Sequence, residues 1–244
     1  MDNLARQTHP VRVLVLANNT PLEQVKRLRR AAKKFFRYTR HKCEVKDLGE
    51  VKGYATAPGV TVKSGIISKV YNIGVGFADG SDFVFIVPGD VLLTPDSLYI
   101  LLTTFNLKDA GIVCLTCYYR NKLENMPMVL PLFSVGQVSK ESYEASPIYE
   151  ARAGNGAMLY RTATAQAFPW RTGGPELDLG ADYQLCEDIR LKTGLKCLIR
   201  SDMEVIHADE DGTLYYSGRI PDAPQVRDAD KREVKPCPAL ELKN

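Results

Sequence analysis

Continuous apolar runs alternate with stretches of helical periodicity along most of the chain. A run without polar alternation is typical of a strand buried on both faces, as in a sheet covered by helices. We predict strands at residues 11–17, 43–49, 83–87, 111–117, 156–161, 196–199 and 203–207. The strongest of these runs is 83–87, which consists entirely of β-branched or aromatic residues.

Apolar residues at helical spacing predict a helix between most pairs of these strands. The first helix starts after Thr20 and Pro21, which suit a cap and a first helical position, with Glu23 placed for a capping box. Further helices are predicted at 64–78, from about 96 to 105, and at 183–193, where Gly194 supplies a left-handed cap.

The alternation of strands and helices predicts an α/β fold with a mostly parallel central sheet flanked by helices. Residues 118–149 break the pattern and are interpreted as an excursion or lid that faces the substrate. Residues 219–244 are charged, contain several prolines and lack an apolar period, as expected of a tail. We therefore predict one domain over 1–218 followed by a tail over 219–244.

Composition places the chain among ordinary globular proteins. Its 244 residues can bury one large core, and its hydrophobic content of 45% and charged content of 25% are average. A net charge of +3 gives no argument for binding to nucleic acid or to a charged membrane. The basic run over 26–42 is typical of a solvated helix face.

The six cysteines are scattered through apolar or helical surroundings. Cys114 and Cys117 have the spacing of a redox or zinc motif, but they lie inside an apolar run without a second such pair. No apolar run is long enough to span a bilayer, and the first residues lack the apolar core of a signal peptide. We expect reduced, buried thiols and a cytoplasmic protein.

One carboxylate follows the strongest strand directly. Pro88 and Gly89 end the run 83–87, so Asp90 is expected in the crevice beyond the strand, where open α/β sheets bind ligands. A carboxylate there suits a hard divalent cation that carries a phosphate-bearing substrate. The alternative is an ordinary turn aspartate.

Several short patterns occur along the chain in a recognisable order. They are the strand and Asn-containing loop over 13–19, Asp47-Leu48-Gly49, Asn72-Ile73-Gly74, the run 83–90, the small-residue strand 154–161, the segment 180–194 and Val205-Ile206-His207. Together they resemble the nucleotide-sugar glycosyltransferases of the GT-A (Rossmann-like) fold, most closely the large inverting glycosyltransferase family 2. The resemblance covers roughly residues 11–210.

The resemblance implies a role for individual residues. It implies nucleotide-sugar contacts at Asn19, Asp47, Asn72, Asp90 and Gly156. It further implies that Asp90 and His207 bind a divalent cation, Mn²⁺ or Mg²⁺, and that Asp182 is the general base. One oxygen ligand and one imidazole ligand suit Mn²⁺ better than Mg²⁺, which prefers a shell of oxygens alone.

Two positions depart from the family pattern. Pro88 stands where the family has the first acidic residue of its metal motif, and Ala181 stands where it has a glutamate before the base. The residues themselves also allow simpler roles. Asp182 is a candidate helix N-cap and His207 a strand-end histidine, while Asp47 and Asn72 suit an ordinary turn and helix.

The leading hypothesis is a metal-dependent glycosyltransferase that moves a sugar from a nucleoside diphosphate to a hydroxyl acceptor with inversion. The acceptor class stays open between a glycan, a lipid carrier, a protein and a modified nucleic-acid base. A nucleotidyltransferase is disfavoured because residues 17–21 offer no glycine-rich basic loop. The remaining alternative is a degenerate, non-catalytic protein that binds a sugar nucleotide or a glycan.

Overall fold

The computed structural model describes most of the chain between residues 11 and 217. The described ranges are 11–39, 41–53, 62–107, 109–117, 127–132, 140–172, 180–203, 205–208 and 214–217. The predicted tail over 219–244 and parts of the predicted lid over 118–149 lie outside them.

Within these ranges the chain forms six helices and twelve strands. The helices are α1 (Leu22–Thr39), α2 (Val62–Val75), α3 (Ser97–Phe105), α4 (Lys140–Glu144), α5 (Thr162–Ala167) and α6 (Ala181–Thr193). The strands are β1 (Val13–Ala17), β2 (Cys43–Asp47), β3 (Phe83–Ile86), β4 (Val91–Leu93), β5 (Ala110–Thr116), β6 (Val129–Leu130), β7 (Ile148–Ala151), β8 (Ala153–Gly154), β9 (Gly156–Arg161), β10 (Lys196–Arg200), β11 (Val205–Ala208) and β12 (Leu214–Ser217).

The predicted strands are all present, with ends that differ by one or two residues. The predicted helix over 64–78 starts and ends earlier, at Val62–Val75, and the helix that ends before Gly194 starts at Ala181. Gly194 has φ +71° and caps α6 in the left-handed conformation, as predicted. None of the described helices combines the length and the apolar character needed to cross a membrane.

The central sheet is mixed, so the prediction of a mostly parallel sheet was wrong. Its five strands lie in the order β3-β9-β5-β10-β7. Among the neighbouring strands of this sheet, only β5 and β10 pair in parallel. Strand β9 is antiparallel to both of its neighbours, and β7 is antiparallel to β10. Among the described residues, β1 and β2 form a separate parallel pair.

The direction of the strands could not be predicted from the apolar pattern, for a physical reason. A continuous apolar run indicates burial whichever way the strand runs, so it does not report direction. Burial itself was overestimated for the run 83–87, because β3 lies at the edge of the described sheet and its residues are only partly buried. Every residue of β5 is buried, and so is every residue of β9 except Arg161. The two strands are neighbours in the middle of the core but point in opposite directions.

Helix α6 packs against this part of the core. Leu185 and Ile189, which are almost fully buried, lie in the same apolar cluster as Val113, Leu115 and Leu159. The buried face of α6 therefore fixes the helix against β5, β8 and β10, and with it the residues at the start of the helix.

Gly156 is required where β9 meets β5. Its φ of +118° is a conformation that other residues avoid. A Cβ at this position would overlap the carbonyl oxygen of Leu115 and approach the Cys117 backbone nitrogen to 3.3 Å. The close approach of the two strands thus depends on the missing side chain.

Replacing Gly156 with alanine is expected to lower the free energy of unfolding by at least about 3 kcal/mol, because backbone strain and overlap with backbone atoms add. The matched control is Gly80→Ala, where φ is +77° but nothing lies within 4 Å of the added Cβ. That control is expected to cost only about 1–2 kcal/mol. Urea unfolding of both variants measures the difference, and equal losses would show that the overlap is relieved.

Candidate functional site

Asp90 and His207 are brought together by strand pairing. Strand β4 pairs antiparallel with β11, which places Val91 opposite His207. The Ala208 backbone N–H donates to the Asp90 carbonyl oxygen at 2.8 Å and extends this pairing by one residue. As a result, Asp90 Oδ2 lies 3.2 Å from His207 Nε2, although the residues are 117 positions apart.

This pair fits a divalent cation. Neighbouring ligand atoms at about 2.1 Å from one octahedral ion are about 3.0 Å apart, close to the separation of Asp90 Oδ2 and His207 Nε2. The Asp90 side chain is 45% exposed, so it is open to a ligand, whereas His207 is 12% exposed. Among the described residues, the one group of three potential ligands is a cysteine cluster, and Asp90 and His207 are a pair without a third such ligand.

Asp182 is the second residue of helix α6. Gly180 and not Asp182 occupies the N-cap position, without a side-chain cap. The backbone N–H groups of Asp182 and Tyr183 interact with the Asp182 carboxylate and lower its pKa. A Cβ at Gly180 would lie 2.7 Å from Asp182 Oδ1, so glycine leaves room for the carboxylate.

Burial raises the pKa of Asp182 to about 6, and the nearby thiol of Cys186 adds to the shift. The backbone hydrogen bonds act in the opposite direction but are outweighed. A carboxylate with this pKa is mostly ionised at pH 7 and is far more basic than an ordinary aspartate. Such a group is suited to accept a proton from a hydroxyl.

Tyr71 of α2 connects the two halves of the site. The pKa of Tyr71 is raised to about 12, mainly by burial and then by the charges of Asp182 and Asp90. The phenol therefore lies close enough to both carboxylates to interact with their charges. Sequence reasoning missed Tyr71, although it directly precedes the Asn72-Ile73-Gly74 pattern.

Asn72 holds the segment that follows α5. Its side-chain Nδ2 donates to the Trp170 carbonyl oxygen and its Oδ1 accepts from the Trp170 backbone N–H, both at 2.8 Å. The Trp170 ring packs edge-on against Tyr71, with centroids 4.6 Å apart, and its Nε1 donates to the Tyr160 hydroxyl. Asn72 thus positions the lone tryptophan of the chain behind Tyr71.

Buried ion pairs anchor helix α6. Arg171 donates two hydrogen bonds of 2.7 Å to the Asp188 carboxylate, which also accepts from Gln184 at 2.9 Å. Arg152 and Arg190 donate to Glu187 in the same way.

The two carboxylates of these ion pairs are almost fully buried. Burial by itself would raise the pKa of Glu187, but the hydrogen bonds from Arg152 and Arg190 outweigh it and lower the pKa. Sequence reasoning missed the Arg171–Asp188 and Arg152–Glu187 pairs, since their partners are 17 and 35 positions apart. The ion pairs tie α6 to the segments around Arg152 and Arg171.

Asn19 and Asp47 lie at the ends of the paired strands β1 and β2. Asn19 has a left-handed backbone with φ +49°, and its N–H donates to the Gly49 carbonyl oxygen. Asp47 Oδ1 accepts from the Gly49 N–H at 3.0 Å. The two residues thus meet at Gly49 on an exposed edge, and their contact with a nucleotide stays a prediction.

Asp182 and Asp188 lie on one helix but are expected to respond oppositely to conversion to asparagine. Between about pH 4 and pH 6 the folded state holds the Asp182 proton and the unfolded state releases it, so stability falls as pH rises. Asp182→Asn is therefore expected to raise the free energy of unfolding at pH 7 by about 2 kcal/mol, a gain that disappears below about pH 4.

Asp188→Asn is the matched comparison and is expected to lower the free energy of unfolding by about 1–3 kcal/mol, because it breaks the bidentate pair with Arg171. Denaturant unfolding at pH 4 and pH 7 measures both variants. A loss of stability in Asp182→Asn at pH 7 would contradict the assignment of a destabilising buried charge.

Of the comparisons with known proteins, only the one with solved structures finds a match. No protein-family model and no curated protein matches the chain. Solved structures do match, among them the catalytic domain of Drosophila beta1,4galactosyltransferase 7 in complex with xylobiose. The alignment covers 80% of this chain and 66% of that one, just under two thirds, with 14% identity and a TM-score of 0.41. A likeness at this level assigns neither a family nor a function to this chain.

Proposed function

We propose that the protein is a glycosyltransferase that moves a sugar from a nucleoside diphosphate to a hydroxyl acceptor with inversion. The observation that carries this proposal is the contact between Asp90 and His207, together with an Asp182 carboxylate of raised pKa that, like Asp90, is close enough to Tyr71 to raise the pKa of its phenol. One half of the site suits a cation and a diphosphate, and the other half suits removal of a proton.

Asp90 and His207 are the residues that would hold the divalent cation. When bound, Mn²⁺ or Mg²⁺ would supply positive charge against the diphosphate leaving group. Only two protein ligands are in place among the described residues, which leaves positions for phosphate oxygens and water. Since Pro88 supplies no second carboxylate in this turn, His207 takes a larger share of the binding than in a doubly acidic motif.

Asp182 is the proposed general base. Its carboxylate accepts the proton of the acceptor hydroxyl while that oxygen attacks the anomeric carbon and the bond to the diphosphate breaks. One displacement from the face opposite the leaving group inverts the anomeric configuration. Ala181 beside it is almost fully buried, so a glutamate at that position would require a buried charge.

Tyr71 and Trp170 are proposed as positioning residues. The raised pKa keeps the Tyr71 phenol protonated at every physiological pH, so it can donate a hydrogen bond to a substrate oxygen. Trp170 supports the phenol from behind, and Asn72 supports Trp170. We propose that Asn72 acts through this support, while Asn19 and Asp47 contact the nucleotide at the edge of β1 and β2.

A thermal-shift screen of nucleoside diphosphates tests donor and cation binding together. At least one nucleotide is expected to raise the melting temperature more with Mn²⁺ than without it, because ligands stabilise the state that binds them. Asp90→Asn and His207→Gln are expected to abolish the Mn²⁺-dependent part. Asp96→Asn and His41→Gln are the matched controls and should keep it. Absence of stabilisation by any nucleotide in either condition would refute the proposal.

Hydrolysis of the donor sugar nucleotide tests the base without knowledge of the acceptor, since water can replace the acceptor hydroxyl. Asp182→Asn is expected to lower kcat by about 10²–10⁴ while nucleotide binding is retained. For the wild type, kcat/KM is expected to rise with pH up to about 6 and then to level off, because the ionised carboxylate is active.

Asp202→Asn, an exposed aspartate, is the control for the hydrolysis assay and should leave the rate unchanged. Undiminished hydrolysis by Asp182→Asn would remove Asp182 from the base role. Nucleotide binding without turnover of any donor by the wild type would favour the non-catalytic alternative. Pro88 and Ala181, which stand in place of acidic residues of the family, are consistent with that alternative.

A further inference from the structure

Three buried cysteines meet in the core, away from the Asp90–His207 pair. Cys114 lies on β5, Cys186 on α6 and Cys197 on β10, and their Sγ atoms all lie within 4.8 Å of one another. The Sγ atoms of Cys186 and Cys197 are 3.8 Å apart. All three are free thiols, and each is at most 2% exposed.

These separations fit the coordination of one thiophilic metal ion. A metal–sulfur bond is about 2.3 Å long, so sulfurs around one ion are about 3.8 Å apart in a tetrahedron and about 4.0 Å apart in a triangle. The separation of Cys186 and Cys197 therefore matches a pair of ligands, and Cys114 Sγ lies within 4.8 Å of both sulfurs. Three sulfur ligands select soft ions such as Cu⁺ and Zn²⁺ over Mg²⁺ and Mn²⁺.

Oxygen atoms beside the cluster offer a fourth ligand. The Gly154 carbonyl oxygen lies 3.9 Å from Cys186 Sγ. Thr116 follows Cys114 by two residues on β5, so its side chain is on the same face of the strand. The Thr116 hydroxyl is buried and has no hydrogen-bond partner among the described residues. Zn²⁺, which needs four ligands, would use one of these oxygens, whereas three sulfurs suffice for Cu⁺.

A cavity of about 270 Å³ lies beside the cluster. Cys197 is the one cysteine of the cluster among its lining residues, which also include Glu150, Arg190 and Lys196. An ion that enters this cavity would therefore approach the cluster from the side of Cys197.

We propose that Cys114, Cys186 and Cys197 form a binding site for one soft metal ion, Cu⁺ or Zn²⁺. In the Zn²⁺ case, three metal–sulfur bonds replace three S–H bonds and three protons leave to solvent. The site shares no residue with the Asp90–His207 pair or with Asp182, although Cys186 lies close enough to Asp182 to contribute to its raised pKa. It links α6 to β5 and β10 from inside the core.

The test is a titration of the reduced, metal-free full-length protein with Zn²⁺ and, in an anaerobic arm, with Cu⁺, each against a chromophoric chelator. One of the two ions is expected to bind with a stoichiometry of one. Cys114→Ser, Cys186→Ser and Cys197→Ser are expected to weaken binding by at least about 100-fold each. Cys117→Ser is the matched control, since Cys117 is equally buried but outside the cluster, and it should bind as the wild type does.

Thiol labelling keeps the test valid if a serine variant fails to fold. In mild denaturant, the bound ion is expected to slow alkylation of Cys114, Cys186 and Cys197 in the wild type, as read by mass spectrometry, and to leave Cys43 unchanged. The ion that gives this protection identifies the ligand. Failure of both ions to bind, equal protection of Cys43, or wild-type affinity in a folded Cys186→Ser variant would overturn the proposal.

Discussion

The placement of helix α6 is the constraint on which the rest of the site depends. The helix buries two carboxylates, Glu187 and Asp188, and three arginines donate hydrogen bonds to them. The arginines come from the segments before β8 and after α5 and from α6 itself. These pairs fix the rotation and the height of the helix against the sheet, and so determine where its first turn lies.

The carboxylates at the start and in the middle of α6 have opposite effects on the stability of the folded state. Glu187 and Asp188 are buried with partners and hold the helix in place. Asp182 is buried at the first turn, where backbone N–H groups offset only part of the cost of its charge. A basic carboxylate of this kind destabilises the folded state, and the ion pairs further along the same helix offset that loss. The same helix carries Cys186 into the cysteine cluster.

The cysteines show how a correct sequence observation can pair the wrong residues. The Cys114 and Cys117 spacing is that of a metal or redox motif, yet residues three apart on a strand point to opposite faces. Cys114 instead meets Cys186 and Cys197, which are more than 70 positions away in the chain. Tyr71 was not predicted as a site residue for a similar reason, because only the tertiary structure brings it close enough to Asp182 and Asp90 for their charges to raise its pKa.

The sequence by itself determined the seven predicted strands and four predicted helices, the apolar run before Asp90 and the order of the polar residues at element ends. These features follow from local chemistry: apolar periodicity, glycine and proline at the breaks, and capping residues. Only the tertiary structure decided the directions of β9 and β7, the meeting of Asp90 with His207 and the ion pairs of α6. Each of these depends on contacts between distant segments, whose pairing and register a pattern of burial does not encode.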